Sequence, residues 1–513
     1  MSNIISQLKN IAPHNGKAIE MLYPTPGIIF KKINRKNYEE GRQNFNTYYQ
    51  FRPSAIVYCE SATQLSEAFL IATRAGFAIR VRSGGHDHEG ECSATGAVVL
   101  DLSKMKNVDY DKVSRLAEIE PGAKFEDLVQ ILYSYGVAIP HGTCPSVAIA
   151  GFISGGGWGP WTRKEGMCCE SLEAVSIVLG NGEIAYLDRS TKRGTELLWA
   201  ISGGGGMSFG IITKFYIRTF PLPADLLKFE LNFRGRFRSM DVFKAWENII
   251  QSENNPELTG SNIRIKAKNN CEKQNDECTI YGSFSDTSEQ LKTKITLWFN
   301  ALDLNEGMTE EILRYVVIRE NGQQVVDPQF FKELYVDWEL IGAARLKGGT
   351  PSPHKITSRV VVKEGLGDSG RKNLHASLNS STLPSEQELK DAEIDCYATH
   401  NAISGQFYAG YTNGNNLSSF PYKERPYIIQ YQAWWGKNQN KARFEKCLNS
   451  VLDWQQECRD RVFPETNGSF ISFKDASIMT KHYFAESYER LKEIKDTWSN
   501  DPNNFLSSRK TII

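Results

Sequence analysis

The sequence predicts an α+β protein of two domains, and three observations lead there. The chain has 513 residues, too many for one ordinary core. Up to about residue 221, short apolar runs alternate with helical stretches and glycine turns. From about residue 222 the texture changes to spaced strand candidates with helical stretches among them, as in a sizeable antiparallel sheet covered by helices.

The elements follow in order. "RPSAIVYCESATQLSEAFLIATRAGFAIRVRSGG" opens on the apolar run Ala55–Tyr58 and reads strand, helix, strand, then a turn at Gly84 and Gly85. "AVVLDLSKMKNVDYD" supplies another strand, and "LAEIEPGAKFEDLVQILYSYGVAIPHGT" a strand, a Pro-Gly turn and a helix. "LEAVSIVLGNGEIAYLD" has the form of a hairpin turning at Asn181 and Gly182. "ISGGGGMSFGIITKFYIRTFPLP" closes the first unit near Pro221. Beyond it, "LLKFELNFRG", "IRIKAKNN", "CTIYGSFSD", "VVVKEGL", "GQFYAGY" and "YIIQYQAWW" read as strands, and "SEQLKTKITLWFNALD" as a helix. The tail "KHYFAESYERLKEIKDTW" predicts one helix with Tyr483, Tyr488, Leu491 and Ile494 on its apolar face, stopped at an Asp-Pro.

Composition narrows the function classes. With 60 basic and 60 acidic residues the net charge is +0, which gives no reason to expect nucleic acid or an anionic membrane as partner. No window approaches eighteen apolar residues, and the amino-terminal stretch does not read as a secretory leader, so the expected setting is the cytoplasm. Ten cysteines are scattered without a CxxC pair, although Cys271 and Cys278 are spaced to bridge a short loop. Eight histidines show no HExxH or comparable spacing, so no metal site is expected.

The chemistry sits in the glycine clusters. Gly84 and Gly85, Gly155 to Gly157 with Gly159, and Gly203 to Gly206 with Gly210 are three groups that let backbone approach a large ligand. None matches GxGxxG in its strand-to-helix setting or GxxxxGK[ST], so the reading is either a nucleotide cofactor bound outside those fingerprints or tight turns in a sheet. His86 stands at the entrance of one cluster and Cys144 before another. A Cys-His thiol hydrolase would need the two within reach of each other and an oxyanion hole, and nothing local supplies one.

"RSGGH", followed some sixty residues later by "GTCPSVAIAGFISGGGWG", resembles the FAD-linked oxidases of the berberine bridge enzyme and oligosaccharide oxidase type, within the vanillyl-alcohol oxidase-like superfamily. "RPSAIVYCESATQLSEAFLIA" resembles the entry to their flavin domain, "GMSFGIITKFYIRTFPLP" its exit, and "YFAESYERLKEIKDTWSNDPNNF" their closing segment. The resemblance implies a two-domain flavoprotein of the PCMH type: an FAD-binding domain over 1–221, a substrate domain over 222–450, and a segment 451–513 returning to the first. It further implies FAD bound twice, through His86 to the 8α carbon and through Cys144 to C6. Arg82, Ser83, Gly84 and Gly85 would shape the pyrophosphate loop, helped by Gly155, Gly156 and Gly157. Thr143, Gly151, Gly159, Gly210, Ile212, Ser472 and Phe473 would also touch the cofactor. Val147, three residues beyond the flavin cysteine, would be the oxygen gate, and its small side chain favours an oxidase.

The chain departs from that family at its end, where a tyrosine-rich motif commonly supplies the base. "GSFISFKDAS" has Phe470 and Phe473 instead, and a phenyl ring cannot accept a proton. Strand alternation in "YIIQYQAWW" puts Gln430 and Gln432 on one face and Tyr431 on the other. Tyr431 is then the candidate base and Gln432 the group orienting substrate, with Tyr397 and Tyr408 as further phenols. The expected function is transfer of hydride from a secondary metabolite to FAD and on to oxygen, giving hydrogen peroxide. The alternatives are a carbohydrate oxidase, an enzyme passing electrons elsewhere, and a flavin-binding protein without catalysis. The expected partners are a small-molecule substrate and oxygen, with the chain a monomer or homodimer.

Overall fold

Three large sheets and one of two short strands, Val137–Ala138 with Phe220–Pro221, carry the chain in this computed structural model, which describes residues 2–24, 31–233, 239–252, 254–269, 277–302, 313–324, 351–411, 416–436, 441–460 and 463–513. In the first, strands Ala55–Tyr58 and Ile79–Arg82 flank Val98–Asp101 and run parallel to it, with Glu20–Leu22 antiparallel at the edge. The helix Ala62–Arg74 makes the crossover. Ser61 caps it by accepting from the Gln64 amide, and Leu65, Ala68, Phe69 and Ala72 bury one stripe. At the carboxyl ends of two adjacent strands, buried Arg82 and Asp101 pair at 2.6 Å.

The second sheet is antiparallel, in the order Val108–Asp111, Leu116–Ile119, Ile211–Arg218, Leu172–Val178, Ile184–Leu187. Its last two strands form the expected hairpin. Asn181 Oδ1 accepts from the Glu183 amide at 2.9 Å, and Gly182 takes φ +85°.

The third sheet has eight antiparallel strands between residues 226 and 435 and gives the second half its shape. Helices Ser239–Gln251, Ser288–Trp298, Gly367–Leu378 and Lys441–Asp460 cover one apolar face, with Trp246 and Trp454 fully buried beneath them. The other face is polar and looks toward the first half. The α+β architecture of two domains is therefore as expected.

Several local expectations need correction. "GQFYAGY" is not a strand but contains the one-turn helix Gln406–Ala409. The strand expected at "VVVKEGL" instead runs His354–Val360 and stops at that segment's first residue. Strand Ile394–Ala402 went unread, because its pattern of buried residues on both faces hides the alternation. The tail helix is broken into Lys481–Phe484 and Tyr488–Trp498 by a short turn at Ala485, whose φ of +43° no α-helix accommodates. Helix Lys441–Asp460 runs across the boundary expected at residue 450 and packs on the third sheet. Cys271 lies outside the described residues, and Cys278 is buried. Among the described residues no helix is long and apolar enough to cross a membrane, and no group of three His, Cys, Asp or Glu side chains is placed to hold a metal.

Candidate active site at the polar face of the large sheet

Two loops frame the site, and glycine lets them touch. A Cβ on Gly84 would stand 2.8 Å from the Ala148 amide nitrogen, so the approach excludes any side chain. Gly85 follows with φ +71°, and His86 leaves the turn stacked on Phe45 at 3.9 Å and 23°. His86 Nε2 lies 3.0 Å from Ser146 Oγ, and Cys144 Sγ lies 3.6 Å from the same hydroxyl. One serine thus gathers the two side chains singled out in the sequence. Burial first, then the charges of His88 and Lys124, pull His86 down to about 3, so its ring is neutral. Burial pushes the Cys144 thiol up. With His86 Nε2 turned to the serine and the thiol kept protonated, the thiol hydrolase reading lacks an activated nucleophile.

Between these loops and the polar face of the large sheet lies a cavity of about 390 Å³. Ser83, Gly84, Gly85, His86, Thr143, Cys144, Val147, Gly151 and Gly155 line it from the two loops, Gly210 and Ile212 from the second sheet, and Ser472 and Phe473 from the tail. Four expected cofactor residues do not. Arg82 turns away because its Nε donates to Asp101 Oδ2 in the neighbouring strand. Gly156 packs against Phe470, Gly157 against Cys168 and Phe152, and Gly159 against the His141 carbonyl. These three glycines fit loops onto one another rather than onto a ligand.

The cavity suits a dinucleotide with a fused ring. Gly151 and Gly206 both face it, and nothing lies within 4 Å of where their Cβ atoms would stand, so each opens the wall by a missing side chain. Main-chain loops line one side, and two groups able to bond carbon, His86 and Cys144, converge at one point.

The expected catalytic pair separates. Tyr431 is fully buried on the helix side of the strand Tyr427–Trp435, with its hydroxyl 3.1 Å from Ser377 Oγ and its ring edge-on to Trp454. It does not reach the cavity, because Tyr427, Ile429, Tyr431, Ala433 and Trp435 form the apolar side that the helices need. Gln432 does line the cavity. Its Oε1 accepts from the Tyr397 hydroxyl at 3.0 Å and from Trp434 Nε1 at 2.9 Å, while its Nε2 donates to Gln430 Oε1 at 3.2 Å. Gln430 continues the chain to Asn401, and Asn401 to Asn262. Burial raises Tyr397 well above the usual phenol range, so it stays a donor. Tyr408 is spent elsewhere, donating to Glu170 Oε1 at 3.3 Å. Phe470 is buried against Phe420 and Phe473, so of the two phenylalanines only Phe473 reaches the cavity.

Several lining residues escaped the sequence reading: Asp87, His88, Trp158, Arg264, Tyr281, Trp434 and Lys474. Lys474 Nζ pairs with Asp87 Oδ2 at 2.7 Å, tying the tail to the loop that carries His86. A signal existed for His88, two positions beyond His86 in an extended loop. None existed for Arg264 or Tyr281, because alternation along their two strands does not say which face meets the ligand.

Residues 53–188 match the family described as FAD binding domain, and residues 469–513 the family described as Berberine and berberine like. Berberine bridge enzyme-like 21 of Arabidopsis thaliana is 25% identical over 94% of this chain and 87% of its own length. The aclacinomycin-N/aclacinomycin-A oxidase of Streptomyces galilaeus is 35% identical over 37% of this chain and 36% of its own. The solved structure of wild-type BBE-like 1 from Physcomitrella patens shares the fold, with a TM-score of 0.78, 20% identity and 99% of each chain covered. With matches at both ends of a cavity that fits a flavin nucleotide, the chain is similar over nearly its whole length to berberine bridge enzyme-like proteins, and it is an FAD-dependent oxidase.

Proposed function

We propose that this oxidase takes hydride from a hydroxyl-bearing secondary metabolite, holds its FAD through bonds to both His86 and Cys144, and returns the electrons to oxygen as hydrogen peroxide. The observation that carries the reading is the convergence of His86 and Cys144 on Ser146 at the cavity wall. FAD, when bound, supplies a two-electron acceptor that oxygen can restore. With Nε2 held by Ser146, Nδ1 of the neutral His86 is the nitrogen left to bond the 8α carbon, and Cys144 Sγ is left for C6. Two tethers spare the protein from wrapping the ring, which leaves the polar sheet face open to a bulky substrate. Gln432, held on both sides of its amide, presents a fixed dipole to orient that substrate. Val147 puts a small side chain beside Cys144 at the wall, which keeps room for oxygen. The buried thiols Cys59, Cys168, Cys169 and Cys396 suit a reducing compartment such as the cytoplasm.

A second reading, oxidation of a carbohydrate, is favoured by the chain of amides and hydroxyls from Tyr397 to Asn262 with Trp434 beside it. Such a surface matches a polyhydroxylated ring. The test has two parts. Acid-precipitated protein should stay yellow, as should the single variants His86→Ala and Cys144→Ala, whereas the double variant should release its flavin. Anaerobic mixing with D-glucose, cellobiose, benzyl alcohol and a hydroxysteroid should then bleach the flavin with the last two. Bleaching by the sugars alone supports the second reading, and a flavin that no member reduces favours lost catalysis.

A further inference from the structure

Two histidines, 266 residues apart in sequence, meet at the cavity wall, and their hydrogen bonds fix both protons. His354 Nδ1 lies 2.9 Å from the Ser352 carbonyl oxygen. A carbonyl only accepts, so Nδ1 carries the hydrogen and Nε2 of the neutral ring keeps its lone pair. His88 Nδ1 lies 2.9 Å from that Nε2. His88 must therefore be the donor, which leaves its own Nε2 without a hydrogen. His88 lines the cavity, whereas His354 stands behind it. The pair is rigidly seated. Trp434 stacks on His354 at 4.0 Å and 26°, and the buried Asn46 amide donates to the main-chain oxygens of His88 and His354 at 2.7 and 3.0 Å.

From this geometry we propose that His88 is the catalytic base whose Nε2 takes the proton of the substrate hydroxyl, and that His354 is the positioning residue that keeps that nitrogen bare. The proposal rests on the reading of the cavity as a site of FAD-linked alcohol oxidation. In the step, the O–H bond breaks and its proton goes to His88 Nε2. The freed electron pair closes the C=O bond as the C–H bond breaks, and the hydride released there is the two-electron equivalent that the flavin accepts.

Three other groups around the cavity are engaged. Asp87 is paired with Lys474 at 2.7 Å, Glu91 Oε2 accepts from Ser508 at 2.7 Å, and Tyr397 donates to Gln432. His88 thus fills the place that Phe470 and Phe473 leave without a base. Asp87 in its own loop favours the charged ring, while Lys474 from the tail, Lys355 from the sheet and the rings of His86 and His354 do not. Burial first, and then the two lysines against Asp87, hold His88 at about 4. The ring is accordingly neutral in the neutral pH range, which leaves the Nε2 lone pair free of a proton.

The first test needs no substrate. In holoenzyme labelled with 15N-histidine, NMR should show His88 protonated on Nδ1 with a bare Nε2, and His354→Phe should let the His88 hydrogen distribute between both nitrogens. The second uses whichever alcohol of the panel reduces the wild-type flavin. His88→Gln should slow that reduction by about 10²–10⁴-fold, the range of general-base catalysis, while acid-precipitated protein stays yellow. A hydrogen on His88 Nε2 in the wild type overturns the proposal, as does His88→Gln holoenzyme reduced within threefold of the wild-type rate. Colourless acid-precipitated wild type, with His88 in the expected tautomer, places the failure in the flavin reading instead.

Discussion

Gly84 shows how much depends on a single missing methyl group. Its Cα carries the turn into His86, and Ala148 belongs to the segment that carries Cys144, so the contact sets the spacing of the two proposed tethers. A Cβ would also lie 3.1 Å from the Ala148 Cβ, and the amide nitrogen behind it cannot rotate aside. Gly84→Ala should therefore destabilise the protein by about 1–3 kcal/mol, as overpacking does, and lower the flavin bound per chain. The ratio of flavin to protein absorbance and a thermal melt check both. At this scale His86 and Cys144 were legible because a glycine cluster accompanies each. Arg82, Gly156, Gly157 and Gly159 do not line the cavity, and a glycine or arginine beside a ligand loop looks the same in sequence as one packed behind it. The side chain's direction decides, and for Arg82 Asp101 on the next strand sets it.

At the scale of the element, strand Tyr427–Trp435 shows both the power of alternation and its limit. A period of two correctly divides Gln430 and Gln432 from Tyr431, but it does not say which side faces the ligand. The helices decide, because four of them must cover an apolar surface and only the Tyr431 side offers one. The turn at Ala485 is the opposite case, where local geometry runs against residue type. Ala485 is exposed and takes φ +43° and ψ −124°, a region that glycine populates and alanine rarely does. Such strain costs about 1–3 kcal/mol, against about 0.4–1 kcal/mol for the extra freedom glycine brings to the unfolded chain. The strain outweighs the entropy and the exposed methyl contributes no packing. Ala485→Gly should thus stabilise the protein by about 1 kcal/mol, read as a raised denaturation midpoint with an unchanged slope.

Across the whole molecule, what could not be read from sequence is what joins the two halves, because it depends on residues hundreds of positions apart. His354 and Lys355 on the large sheet, Lys474 and Asp475 in the tail and Asp87 to Glu91 in the flavin loop meet only in three dimensions. Lys474 pairs with Asp87 at 2.7 Å, Lys355 with Glu89 and with Asp475 at 3.5 Å, and Arg459 with Asp475 at 3.4 Å. Burial alone would raise both aspartates. For Asp87, the charge and hydrogen bond of Lys474 and the Glu91 amide win, and its carboxyl lies below the usual range. For Asp475, Lys355, the amide and hydroxyl of Ser477, and Arg459 do the same. A carboxyl that binds its proton more weakly when folded than when unfolded stabilises the fold above its ordinary pKa, near 4. That contribution is lost as pH falls through the depressed folded values. The junction should accordingly hold from pH 7 to about 5 and weaken progressively below about 4. Asp475→Asn should lower the melting temperature at pH 7, and the gap to wild type should narrow at pH 3, where the wild-type carboxylate is itself partly protonated. Melts at the two pH values, followed by flavin fluorescence and by far-UV circular dichroism, check this. An equal gap at both would mean that Asp475 acts through its hydrogen bonds to Ser477 rather than through its charge.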